Sequence, residues 1–142
     1  ALIPDPNVGL IADDGERVGT KEFAAALKSI LGQAGGRTLF VSSADLSHVG
    51  PQFGDQGPVD QKRKHAIEQH DRELLGEYIE GADKFLAHVA KVGNSNRWCS
   101  IGNMFVAAAC APHASREMVK YEQAADPNGG GMVTSAALAL LG

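Results

Sequence analysis

Cysteine is scarce in this chain: Cys99 and Cys110 are the only two among 142 residues. Two cysteines in dissimilar surroundings make no disulfide framework, so the expectation is a pair of reduced thiols and a cytoplasmic setting. Neither sign of charge dominates. A net charge of −4 offers no general attraction to nucleic acid or to anionic membranes. The one basic cluster, Lys62-Arg63-Lys64-His65, falls in a helical pattern and reads as a solvated face. No apolar run is long enough to span a membrane, and no signal-peptide pattern opens the chain. A glycine-rich phosphate loop with lysine, a CxxC pair and a Gly-x-Ser-x-Gly elbow are all missing, so the chemistries those motifs carry find no support. Methionine is missing from the start as well. The chain opens directly in apolar sequence at Ala1-Leu2-Ile3-Pro4, which is expected of a processed or truncated piece.

What is present is ordinary globular composition, 44% hydrophobic and 21% charged. At this length one domain, or part of one, buries about 70% of its unfolded surface. Residues 1–4 read as the end of a strand, and residues 6–19 as a polar connection with 8–12 as its apolar part. Thr20 is expected to cap a helix in which Phe23, Leu27, Ile30 and Leu31 recur at helical spacing. Gly32 and Gly35-Gly36 end it, and residues 37–41 form a strand, giving half of a βαβ unit.

Residues 51–58 are a loop. From Val59 a helix places Ile67, Leu74 and Tyr78 on one face, until Gly81 stops it. A shorter helix over 83–91 buries Phe85 and Val89, and residues 94–96 are loop. Residues 101–111 are apolar almost all round and alanine-rich, which predicts a buried, closely packed helix ending at Pro112. Residues 118–124 alternate as a strand, and 127–131 are a glycine turn. By propensity the last segment, 132–141, favours a helix, with a strand as the alternative.

The most informative stretch is residues 39–50, LFVSSADLSHVG. An apolar run stops in Ser42 and Ser43, Asp45 and His48 follow three apart, and Gly50-Pro51 turns the chain. An apolar run that ends in polar groups describes a parallel strand delivering side chains to its C-terminal edge. Catalytic and ligand groups collect at that edge in open α/β sheets. An acid and an imidazole there can bind metal or share a proton. The plainer alternative is a turn in which Asp45 caps backbone amides beside a half-buried His48.

Cys99 stands where a polar loop meets the buried helix. The positive end of the helix dipole favours its thiolate, the form that binds metal or attacks an electrophile. Its alternative role is a small hydrophobe beside Trp98. Cys110, among alanines in the helix interior, reads as core. Among the remaining imidazoles, His65 and His70 lie five apart and share no helix face, His88 falls on the polar side of its helix, and His113 follows Pro112 in a loop. A three-ligand metal site is not assembled from these spacings.

The motif SSADLSHVG resembles the signature of the Memo family. DRELLGEYIEGADKFLAHVAK resembles the helix pair that follows it there, and NRWCSIGNMFVAAA the cysteine segment. The resemblance spans nearly all of the chain and matches the C-terminal half of a full-length member, so residues 1–142 are taken as one incomplete Memo-like domain. It implies an α/β fold with a mostly parallel central sheet and flanking helices, similar to the class III extradiol dioxygenases. It also places a strand, not a helix, at 132–141. By the same resemblance Cys99 takes the family cysteine's place at a metal-type site, with His48 and Asp45 as the signature pair beside it. Many relatives have glycine after the cysteine, where this chain has Ser100. The two histidines that relatives contribute from their N-terminal half have no counterpart here.

Three functions follow from the resemblance. The first is a metal-dependent, dioxygenase-like oxidoreductase in which His48 moves substrate protons. Iron or copper would be the metal of the full-length protein, with no tight binding and no turnover expected from this chain alone. The second is an adaptor that binds a phosphopeptide, as eukaryotic Memo is described. The third is redox or metal handling by the Cys99 thiolate. The glycine-rich loops look bacterial, and bacterial relatives occur with an AMMECR-type domain and a radical SAM protein, which hints at RNA or small-molecule modification. The substrate, small molecule or peptide, stays open. With the N-terminal half absent, an unpaired sheet edge is expected to drive self-association or packing with a partner.

Overall fold

The computed structural model describes residues 14–34, 36, 38–99, 101–111 and 114–141. The strand expected at 1–4, the apolar stretch at 8–12, Ser100, Pro112 and His113 lie outside them. The described elements are α1 (Thr20–Gln33), β1 (His48–Val49), a 3-10 turn (Pro51–Phe53), α2 (Gln61–Glu80), α3 (Ala82–Val92), α4 (Ile101–Cys110), β2 (Ser115–Ala125) and β3 (Met132–Leu141). Among the described residues no helix is long and apolar enough to cross a membrane.

The helical periods translate into burial where a partner exists. Asp60 caps α2 by accepting from the Arg63 amide at 2.8 Å, and Ile67, Leu74 and Tyr78 are buried along one stripe of it. Gly81 ends α2 with φ +146, a conformation that suits glycine. The fully buried Phe85 and Val89 hold α3 to α2. Phe85 lies between the rings of Tyr78 and Trp98, with centroids 5.4 and 6.1 Å away. In α4, Ile101, Met104, Phe105, Val106, Ala107 and Ala108 are buried, as an all-round apolar helix requires. It packs against α3 on one side and α1 on the other.

Two expectations about α1 change. Gly19, not Thr20, holds the cap position, and its carbonyl accepts from the Phe23 amide. Of its apolar positions only Ala24 is buried, packed on Phe105 and Val106 with Leu27 partly covered, while Phe23 and Ile30 stay exposed.

The larger correction concerns the sheet. A mostly parallel sheet was expected, yet every described pairing is antiparallel: the strand order is β1-β3-β2. β2 and β3 form a long hairpin from Ser115↔Leu141 to Ala125↔Met132, with an irregularity between Met118 and Lys120. Residues 132–141 are thus a strand despite their helical propensity, because ladder bonds to β2 outweigh a preference worth fractions of a kcal/mol per residue. Residues 38–47 form no strand, and Leu39 and Val41 are 87% and 75% exposed. An apolar run becomes a strand only where another strand takes up its backbone bonds. Here that happens late: the Leu46 amide donates to the Thr134 carbonyl at 2.9 Å and the Thr134 amide to the Ser47 carbonyl at 3.0 Å, immediately before β1.

Candidate functional site

Asp45, His48 and Cys99 converge, though not at the C-terminal edge of a parallel strand. The approach segment to β1 carries Asp45, β1 opens with His48, and the loop before α4 carries Cys99. Their ligand-capable atoms all lie within 4.8 Å of one another, and they form the one such group of three or more His, Cys, Asp or Glu among the described residues.

Three local devices hold the group. The His48 amide donates to the Asn96 carbonyl at 2.8 Å, tying β1 to the cysteine loop. Asn94 braces that loop from within. Its side chain accepts from the Trp98 amide at 2.7 Å and donates to the Trp98 carbonyl at 2.9 Å. In α4, Asn103 donates to the Ser43 carbonyl at 3.2 Å, which anchors the segment that bears Asp45.

The imidazole's tautomer follows from its neighbours. His48 Nδ1 faces two carbonyls, Leu46 O at 3.1 Å and Arg97 O at 3.2 Å. Neither oxygen can donate, so Nδ1 carries the proton and Nε2 keeps its lone pair when the ring is neutral. Nε2 points to Asp45, 3.8 Å from Oδ2. Phe53 meets the His48 ring edge-on at 5.3 Å and limits its rotation. The ring is mostly covered at 19% exposure, whereas the Asp45 side chain is open to solvent at 59%. The plainer expectation for His48, a half-buried ring in a turn, describes its burial but not the shared proximity to a thiol and a carboxylate.

A charged brace stands behind the group. Arg97 donates to the His48 carbonyl at 2.9 Å and pairs with Asp55. Arg63, one of the basic cluster read as a solvated face, reaches Asp55 Oδ2 at 2.5 Å instead. Asp55 also accepts from the Gly50 amide at 2.7 Å. The Arg97 hydrogen bond, followed by the Gly50 amide, pulls the Asp55 carboxyl down to about 2 from 3.8. Arg97 is the one non-glycine residue with positive φ among those described, at +58. Such a conformation persists only where the surroundings hold it, as His48 and Asp55 do here.

The two cysteines differ in setting. Cys99 is exposed, and its thiol lies 3.7 Å from the Asp45 carbonyl oxygen. Cys110 is half-buried on α4 against the Ala24 carbonyl at 3.8 Å, and burial pushes its thiol pKa up. The remaining described histidines lie elsewhere. His65 is exposed on α2, His70 half-buried on it, and His88 sits 3.6 and 3.7 Å from Glu73 and Glu77.

Sequence reasoning missed Asp55, Arg97 and the buried Asp71 of α2, whose Oδ1 accepts from Ser47 Oγ and the Trp98 indole N–H. Asp71 did leave a signal, as an acid at i+4 on the stripe of Ile67, Leu74 and Tyr78. Asp55 and Arg97 left none, because loop residues show their function only through what they touch.

A family model described as "Memo-like protein" matches residues 10–138. The chain belongs to the Memo-like family. That match covers the signature motif, the helix pair, the cysteine segment and most of the closing hairpin of this Memo-like chain. No curated protein matches it.

The donor set can be tested against a metal ion. A tetrahedral ion bound at 2.0–2.3 Å holds its ligand atoms roughly 3.3–3.8 Å apart. Asp45 and His48 already stand at 3.8 Å, and the spread of the trio, up to 4.8 Å, closes with small movements of the exposed Asp45 and Cys99 side chains. Sulfur, imidazole nitrogen and one carboxylate oxygen suit a first-row transition ion.

Proposed function

We propose that this Memo-like chain carries a metal-type centre in which Cys99 anchors a first-row ion, with His48 and Asp45 beside it. The convergence of thiol, imidazole and carboxylate within 4.8 Å supports this reading. Iron or copper is the proposed metal, held weakly because two of the three donors are exposed and no further protein ligand joins them among the described residues. When bound, such an ion supplies Lewis acidity and redox chemistry of the kind extradiol dioxygenases use. The chain's own contribution is proton handling. His48 Nε2 holds the ring's one outward lone pair; where Cys99 carries the ion without the imidazole, that lone pair accepts a proton from a substrate hydroxyl, and Asp45 at 3.8 Å stabilises the resulting imidazolium. No catechol turnover is expected of this chain alone.

The test is Cu²⁺ and Fe²⁺ titration of the purified chain, with Cys99→Ser and His48→Ala beside it. The expected result is one weak site, in the micromolar range or above, that Cys99→Ser abolishes and His48→Ala weakens. Equal binding by all three proteins would overturn the reading.

The chain's sheet edge supports association as well. Among the described residues β1 pairs only with Met132 and Val133, so along most of β3 no described strand lies on that side. An open groove of about 820 Å³ lies there between the exposed segment at Leu39 and Val41 and the alanine- and leucine-rich end of β3. A second copy of the chain is the proposed cover for this apolar edge.

A further inference from the structure

Asp71 is fully buried in α2, and among the described residues no lysine or arginine pairs with it. Four neutral donors surround its carboxylate. Oδ1 accepts from Ser47 Oγ at 2.5 Å and from the Trp98 indole N–H at 2.8 Å. Oδ2 accepts from Thr134 Oγ1 at 2.5 Å and from the Tyr121 hydroxyl at 2.8 Å. Trp98 Nε1 also lies 3.0 Å from Ser47 Oγ, so the three groups close a triangle. Burial, reinforced by the Asp71 hydrogen bond, pushes the Tyr121 hydroxyl well above its ordinary pKa and keeps it a donor.

A buried carboxylate without a cation is an expensive way to fill a core, and an apolar residue of similar size would pack there at lower cost. What an apolar residue cannot do is bind two separate segments at one point. Ser47 immediately precedes His48, and Trp98 immediately precedes Cys99. Both segments end on the same oxygen of Asp71.

We infer that Asp71 is the positioning residue of the site, setting the separation of His48 from Cys99 through Ser47 and Trp98. It touches none of the three donors itself. The Thr134 arm fixes the same frame to the sheet, since Thr134 Oγ1 also accepts from the Ser47 amide at 2.9 Å. The Tyr121 arm leads to β2, where no site residue lies. This inference rests on the metal-centre reading for its purpose, but its geometry can be tested without a metal.

Because Asp71→Asn could compromise folding, the experiment relies on variants that each remove one arm. Trp98→Phe and Ser47→Ala cut the arms to the site, and Tyr121→Phe cuts an equally direct arm to β2. Each is titrated with Co²⁺, whose thiolate charge-transfer band reports the Cys99 sulfur, and each is melted to confirm folding. Trp98→Phe and Ser47→Ala are expected to weaken Co²⁺ binding roughly tenfold or more and to shift the band, as losses behind a ligand do. Tyr121→Phe should stay within about twofold of the parent. Parent-like binding by the first two, or the same loss in Tyr121→Phe, would overturn the inference. If the parent chain gives no thiolate band, the metal reading fails separately, and the alkylation rate of Cys99 at one fixed pH decides the positioning claim. The same ranking of variants sustains it, and equal rates overturn it.

Discussion

His48 and Arg97 exchange hydrogen bonds across the site. The Arg97 guanidinium donates to the His48 carbonyl at 2.9 Å, and the His48 ring donates from Nδ1 to the Arg97 carbonyl at 3.2 Å. One residue thereby fixes both the backbone and the ring of the other, and the ring's outward nitrogen is a consequence. The φ of +58 at Arg97 is what turns its carbonyl to the ring while its side chain reaches back.

Replacing Arg97 separates those contributions. Arg97→Ala should cost about 1–3 kcal/mol in urea denaturation, through lost charge-assisted bonds to His48 and Asp55. Arg97→Gly should cost less, by up to about 1 kcal/mol, because glycine adopts positive φ without strain. A reversed order would show that the backbone at this position is not under the strain its φ implies.

Acid should loosen this brace in a defined window. The Asp55 carboxyl is depressed from 3.8 to about 2, so its pairing contributes in full above about pH 4 and is lost as pH falls through about 2. Asp55→Asn should therefore flatten the fall in stability between pH 4 and 2 and lower stability at neutral pH. Asp14 is depressed to a similar value by Arg17, but that pair is exposed to solvent. Screening should leave Asp14→Asn close to the parent across the same range. Urea midpoints from pH 2 to 7 check both variants.

Thiol labelling should distinguish the cysteines. Cys99 is exposed, whereas burial covers Cys110 and raises its pKa. Near pH 7.5 an alkylating reagent should modify Cys99 several-fold faster, followed by peptide mass spectrometry. Equal rates would mean that α1 and α4 part often enough in solution to open Cys110.

Association should depend on the exposed run before the signature motif. Light scattering coupled to size exclusion should find dimers or larger species at high concentration. The double variant Leu39→Lys, Val41→Lys should shift them toward monomer, because two charges would face the apolar groove. A strictly monomeric parent chain would remove the proposal of a second copy.

Much of the helical framework was legible from spacing. Ile67, Leu74 and Tyr78 on α2, Phe85 and Val89 on α3, and the all-round apolar α4 are buried as their periods predict. Phe23 and Ile30 share a period equally well but are exposed, because periodicity selects a face without supplying the surface that covers it. The strand readings show the same limit more sharply. Residues 37–41 look like a buried parallel strand, yet the described residues 38–41 pair with nothing in the sheet, and pairing starts only at Leu46.

By itself the sequence singled out the candidate residues: Asp45 and His48 three apart in a signature motif, and Cys99 at the threshold of a buried helix. Residue type and local spacing raise such candidates, since reactivity resides in the side chain, and the Memo resemblance implied that they share one site. The tertiary structure alone decided that the three meet, that Nε2 of His48 is the nitrogen that faces them, and that Asp71, Arg97 and Asp55 hold the arrangement. Each of those outcomes rests on hydrogen bonds between segments far apart in the chain, from Ser47 to Asp71 and from His48 to Arg97. No local pattern encodes such partners. They are chosen when the hairpin and helices close around one another and most buried polar groups find a bond.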